Sequence, residues 1–188
     1  MATLYKGLET EIEIQGITYE VNMAFDNIVL LLEILNHPTL NDAQKVFYGI
    51  AKLIGQELDL DLEHQVKVFE VLIEKFVHGE EKQDVPTDLE GNVMPMSEQK
   101  QSYSLIHDAS YIFTSFKQAY GMDLYEERGK LDWRKFKELL RDLPDTTKFK
   151  QVIDIRTRPY PKGKHSGEER KSLKELKKAF ALPETEIE

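Results

Sequence analysis

Residues 120–144 read YGMDLYEERGKLDWRKFKELLRDLP. They hold the only tryptophan of a 188-residue chain, together with six acidic side chains. Asp123, Glu126, Glu127, Asp132, Glu138 and Asp142 could mark a catalytic or metal site, and Asp145 follows just beyond. Ordinary helix chemistry explains them more simply. Asp132 stands where an N-cap belongs. Glu138 is spaced to pair along a helix with Arg134 or Arg141. Trp133, Phe136 and Leu140 recur at i, i+3 and i+7, which is the spacing of a buried helical stripe. The stretch therefore predicts architecture: a helix ending at Tyr120-Gly121, a charged loop, and a second helix locked by Trp133.

Outward from this corner the signals are mainly helical. Helix resumes at about Tyr103 and runs to Tyr120, with Leu105, Ile112, Phe113 and Phe116 on its apolar stripe. Asp26 is the predicted N-cap of DNIVLLLEILN, and Asn41 or Asp42 that of AQKVFYGIAKLIG. EHQVKVFEVLIEKFVHG is a further helix, with Gly79 as its C-cap. Asp145 or Thr146 starts a short helix through Phe149, Val152 and Ile153. Ser166 with Glu169 has capping-box spacing before EERKSLKELKKAFAL. One segment differs. ETEIEIQGITYEVNM (9–23) alternates apolar and polar around Gly16, which predicts a β-hairpin burying Ile12, Ile14, Ile17, Tyr19, Val21 and Met23 on one face. Residues 80–101 lack periodicity, hold Pro86 and Pro95, and predict a flexible, protease-sensitive connection. The expected fold is mainly α with a small N-terminal β-hairpin (α+β): a compact helical domain with a mobile C-terminal helix. Residues 1–156 form its body, and 157–188 form a basic linker and last helix.

Composition limits function. No cysteine is present, so disulfides, thiol nucleophiles and cysteine-bound zinc are excluded. The net charge of −9 disfavours bulk binding to nucleic acid. No stretch nears the ~18 apolar residues of a membrane helix. The N-terminal MATLYKGLETEIE has no apolar core of signal-peptide length. A soluble, intracellular-type protein is expected. Charge is uneven: Arg156–Lys178 carry nine basic and three acidic side chains. Arg170, Lys174 and Lys177, with the apolar Leu173, Leu176 and Phe180, make that last helix a candidate partner-binding surface.

Three catalytic or metal patterns fail. Asp59, Asp61, Glu63 and Glu70 imitate a calcium loop, but His64 stands where the sharp turn needs glycine. His37, His64, His78, His107 and His165 share no i, i+3 or i, i+4 spacing. Gly129-Lys130 lacks the first glycine and the Ser/Thr of a phosphate loop. No catalytic residue, cofactor site or metal site is predicted.

Residues 108–156, DASYIFTSFKQAYGMDLYEERGKLDWRKFKELLRDLPDTTKFKQVIDIR, carry a resemblance. Asp108, Tyr111, Phe116, Tyr120, Gly121, Asp123, Trp133, Phe136, Leu140 and Arg156 are among its elements. MAFDNIVLLLEILNHPTLND (23–42) extends it. The chain resembles the bacteriophage gene-product-fifteen family of siphophages that infect Gram-positive bacteria. That family's genes usually lie between those of the major tail protein and the tape measure. The resemblance implies a non-enzymatic tail assembly chaperone that keeps the tape-measure protein soluble while the tail tube forms. It would act in the cytoplasm of the infected host and be absent from the mature virion. The major tail protein and other copies of the chain are further expected partners. The alternatives are a structural tail or connector component and, less favoured, a DNA-binding regulator using the basic segment.

Overall fold

A computed structural model of the chain describes residues 7–78, 102–163 and 166–183. The expected connection at 80–101 and the C-cap at Gly79 lie outside the described residues. Two strands and seven α-helices are formed among them. The fold is mainly α with a small β-hairpin, as the periodicities predict. The chain divides into two compact units: Met1–Val85 with Glu127–Leu139, and Pro86–Glu126 with Leu140–Glu188. The basic segment from residue 157 onward falls within the second.

In the first unit, β1 (Glu11–Ile14) pairs antiparallel with β2 (Ile17–Glu20), and Ile12 faces Tyr19. The two-residue turn needs positive φ at both central positions, and Gln15 and Gly16 have 51° and 78°. The expected buried face is only partly covered. Ile12 and Ile14 are buried, whereas Ile17 is 57% exposed. Packing lies under the β1 side of that face.

Helix α1 (Phe25–Leu35) follows, then α2 (Asp42–Ile54) and α3 (Leu62–Leu72). Asp26 is not the N-cap of α1; Ala24 is. Asp26 lies in the first turn and accepts the Gly129 N–H at 2.9 Å. Asn41 caps α2 in a reciprocal box with Gln44, and Gly55, at φ 79°, ends it. Asp61 caps α3 by accepting the His64 N–H. Glu63 pairs with Lys67 one turn along. The calcium-like segment is thus a helix start. Beyond α3, Ile73–His78 continues in wider π-helical turns.

Helices α2 and α3 pack closely because Gly49 lacks a side chain. A Cβ there would lie 2.4 Å from Cε2 of Phe69. Gly49→Val should therefore destabilise the protein by about 1–3 kcal/mol through overpacking. Urea unfolding tests this, and a variant as stable as the parent would show that the Phe69 ring simply moves aside.

The second unit contains α4 (Ala109–Tyr120), α6 (Lys148–Thr157) and α7 (Gly167–Ala179). Helix α5 (Trp133–Arg141) runs from the first unit into the second at Leu140. Helix α4 begins at Ala109 rather than Tyr103, because Ser104 to Asp108 form a turn. The Asp108 carboxylate accepts the Ser104 N–H at 2.9 Å within it. Gly121, at φ 66°, ends α4. Asp132 accepts the Arg134 N–H at 2.8 Å at the start of α5, as its position predicts. Thr147, not Asp145 or Thr146, precedes α6. Ser166 makes no capping hydrogen bond to α7; its hydroxyl donates to the Gly163 carbonyl at 2.8 Å.

Candidate functional site

The motif residues of the sequence separate into two clusters, one in each unit. In the first unit, Trp133 is 6% exposed and Phe136 is 2% exposed. Their rings stack at 5.6 Å, and Phe136 stacks on Phe25 of α1 at 4.9 Å. The Trp133 indole N–H donates to the Val77 carbonyl at 3.0 Å. Lys137, one turn later, donates to the His78 carbonyl at 3.1 Å. Carbonyls in a last helical turn lack intrahelical donors, so α5 satisfies those that follow α3. Arg134 pairs with Asp132 and reaches the Glu9 carbonyl at 2.8 Å. Leu140 is buried on the part of α5 that belongs to the second unit.

The second cluster centres on Arg156. Its guanidinium grips the Asp108 carboxylate through two hydrogen bonds, of 2.6 and 2.8 Å. It also donates to the Ser102 carbonyl at 3.1 Å and the Phe180 carbonyl at 2.6 Å. Asp108 is 1% exposed. Burial by itself would push its carboxyl up. The Arg156 hydrogen bonds and the Ser104 N–H outweigh that and hold it below the usual carboxylate range. Tyr111 of α4 meets the Phe180 ring edge-on at 6.3 Å, and the Lys148 ammonium sits 4.7 Å over the same ring. Lys177 donates to the Arg156 carbonyl at 3.0 Å.

The candidate partner residues therefore differ in placement. Leu173 is buried, Phe180 and Lys177 are half-buried, and Leu176, Arg170 and Lys174 are exposed. Leu173 belongs to the core of the second unit. Phe116 is fully buried in α4, and its ring meets that of Tyr120 edge-on. Asp123 accepts the Tyr125 N–H and lies 3.4 Å from the Lys117 ammonium. Ser115, which sequence reasoning did not single out, receives the Phe149 N–H on its buried hydroxyl. The second partner of such a bond lies 34 residues away and leaves no local pattern.

A different surface is open. Between β1 and α3, Ile12, Ile14, Leu60, Val68 and Val71 line an apolar groove of 280 Å³ with Lys67 at its side. Val71 is 49% exposed there. Sequence periodicity placed Val71 on neither the core stripe nor the site, because only the hairpin opposite makes it a wall. Among the described residues, no group of three or more His, Asp or Glu could hold a metal ion.

The profile of the bacteriophage Gp15 protein family matches residues 5–182, nearly the whole chain. The chain belongs to the bacteriophage Gp15 family. No curated protein and no solved structure matches it. Membership makes this Gp15-family chain a phage protein of a structural or assembly-related kind. Among the described residues, no helix is long and apolar enough to cross a membrane. Both buried clusters in this Gp15-family chain are built from residues that carry the sequence resemblance. Trp133 and Phe136 make one, and Asp108, Tyr111 and Arg156 make the other.

Proposed function

We propose that this Gp15-family chain is a non-enzymatic tail assembly chaperone. It binds the tape-measure protein, keeps it soluble and hands it to the growing tail tube with the major tail protein. It works in the cytoplasm of the infected host and leaves before the virion matures. The observation that carries this reading is the open groove between β1 and α3. A holdase needs apolar surface presented on a strongly charged, soluble body. The groove supplies apolar walls from both a strand and a helix, and the chain carries a net charge of −9. Grooves of this kind take the apolar stripe of an amphipathic helix, and a tape-measure protein is a long run of such helix.

Val71 separates this function from stability. Because it is half exposed, Val71→Asp should change unfolding free energy by no more than about 0.5 kcal/mol. The same change puts a charge into the groove wall. Pull-down of the tape-measure protein should fall at least several-fold. Undiminished capture by a folded Val71→Asp chain would remove the groove from the mechanism. The runner-up reading is a structural tail or connector component. Mass spectrometry of purified virions separates the two: a chaperone is absent, and a structural component is present in stoichiometric amount.

A further inference from the structure

The seat beneath α7 is more than a resting place for the C-terminus. We propose that this face of α4 and α6 is a helix-docking site shared between copies: it holds α7 of its own chain and accepts α7 of a second copy in the same way. The inference is independent of the groove and of the chaperone reading.

The seat is specific for α7. Arg156 donates to the Phe180 carbonyl, and the Arg156 carbonyl accepts from Lys177. The Phe180 ring lies against Tyr111 and under Lys148. Leu173 supplies the apolar anchor at 7% exposure. Much of the seat is held by contacts that do not involve α7. Asp108 grips Arg156 through two hydrogen bonds, and Ser104 grips Asp108. Removing α7 takes one acceptor from Arg156 and leaves its carboxylate partner in place.

Helix α7 itself is lightly held. Leu173 is the only buried residue of its 13, and Leu176 is 42% exposed. A helix of this length is marginal alone in water, and lightly packed terminal elements open below the global unfolding free energy. Nine residues, Arg158 to Ser166, join α6 to α7 and include Pro159, Pro161 and Gly163. Extended at ~3.3 Å per residue they reach about 30 Å, far enough to serve a neighbouring molecule. Exchange replaces every cis contact with an identical trans contact, so concentration decides between them. A short tether gives the cis helix an effective concentration of roughly millimolar, and trans docking becomes significant as copies approach that density.

The test uses the full chain and a labelled peptide of residues 163–183. Leu173→Asp in the full chain dislodges its own α7 and leaves the seat empty. The wild-type peptide should bind that variant at least ~10-fold more tightly than it binds the wild-type chain, whose seat is filled. A peptide that itself carries Leu173→Asp should not bind. Wild-type chain near millimolar concentration should sediment partly as a dimer. Equal peptide binding to both chains, or binding to neither, overturns the proposal. A folded, open seat with a strictly monomeric wild-type chain at that concentration overturns the second copy as occupant. If Leu173→Asp unfolds, Leu173→Ala takes its place. If both unfold by circular dichroism, no seat exists without α7 and the proposal fails.

Discussion

Trp133→Ala is expected to destabilise the native protein by about 3–5 kcal/mol. Three losses combine. The indole leaves a cavity in a ring stack that continues through Phe136 to Phe25. The Val77 carbonyl loses its indole donor and keeps the longer bond from Lys137, at 3.3 Å. The apolar area of a large aromatic side chain returns to water. Trp133→Phe should be milder, because it keeps most of the ring area and deletes the hydrogen bond. The cost of Trp133→Phe in urea unfolding reports mainly the bond, and the further cost of Trp133→Ala reports the cavity and the lost area. Native tryptophan emission should be blue-shifted, as for a buried indole. A solvent-exposed emission maximum, or a Trp133→Ala loss below about 1 kcal/mol, would place Trp133 outside the core.

Breaking the Asp108–Arg156 pair is the second large effect. Asp108→Ala leaves a guanidinium with its carboxylate gone, and Arg156→Ala leaves a carboxylate in a site that is 1% exposed. Removing one partner of a buried pair costs about 3–5 kcal/mol, because the remaining charge has no compensation. Arg156→Lys is not a mild change here. An ammonium cannot reproduce two parallel bonds to Asp108 while also reaching the Ser102 and Phe180 carbonyls. The pair also sets a pH dependence. The Asp108 carboxyl titrates lower in the folded chain than in the unfolded one. Its stabilising effect is therefore complete above the unfolded carboxyl's value of about 3.9 and disappears as pH falls through the lower, folded value. Comparison of wild type with Asp108→Asn by urea unfolding should give a constant difference from about pH 5 to 7 that shrinks below about pH 4. A difference that grows on acidification would have the sign of a raised pKa and would contradict the geometry.

Local patterns carried most of the architecture. The hairpin was legible because period-two alternation meets Gly16, which supplies positive φ to the turn; the positive φ of Gln15 was not. The α2 start was legible as a choice between Asn41 and Asp42, and the reciprocal bonds with Gln44 settle it on Asn41. Asp132 and the Trp133–Phe136 stripe were legible for the same local reasons. Where a residue has two partners to choose from, local reading chose wrongly. Ser166 has the right spacing for a cap, yet its hydroxyl donates back to Gly163. The helix expected from about Tyr103 starts later, because Asp108, at the N-cap position of α4, turns its carboxylate to the Ser104 N–H and to Arg156, 48 residues away. Ile17 alternates correctly but stays more than half exposed among the described residues. The groove was not legible at all. Its walls come from β1 and α3, and no spacing within either segment announces that they face each other. The apolar spacing of Leu173, Leu176 and Phe180 showed that α7 needs a surface, but not which one; contacts with α6 supply it for Leu173.

The most direct test of the chaperone reading is the solubility of the tape-measure protein when it is made with and without this chain. Co-expression should move the tape-measure protein from the insoluble to the soluble fraction and yield a complex that copurifies. Wild-type chain should do this, and folded Val71→Asp chain should do it poorly. A tape-measure protein that stays equally soluble or equally insoluble whether or not the wild-type chain is present would contradict the account.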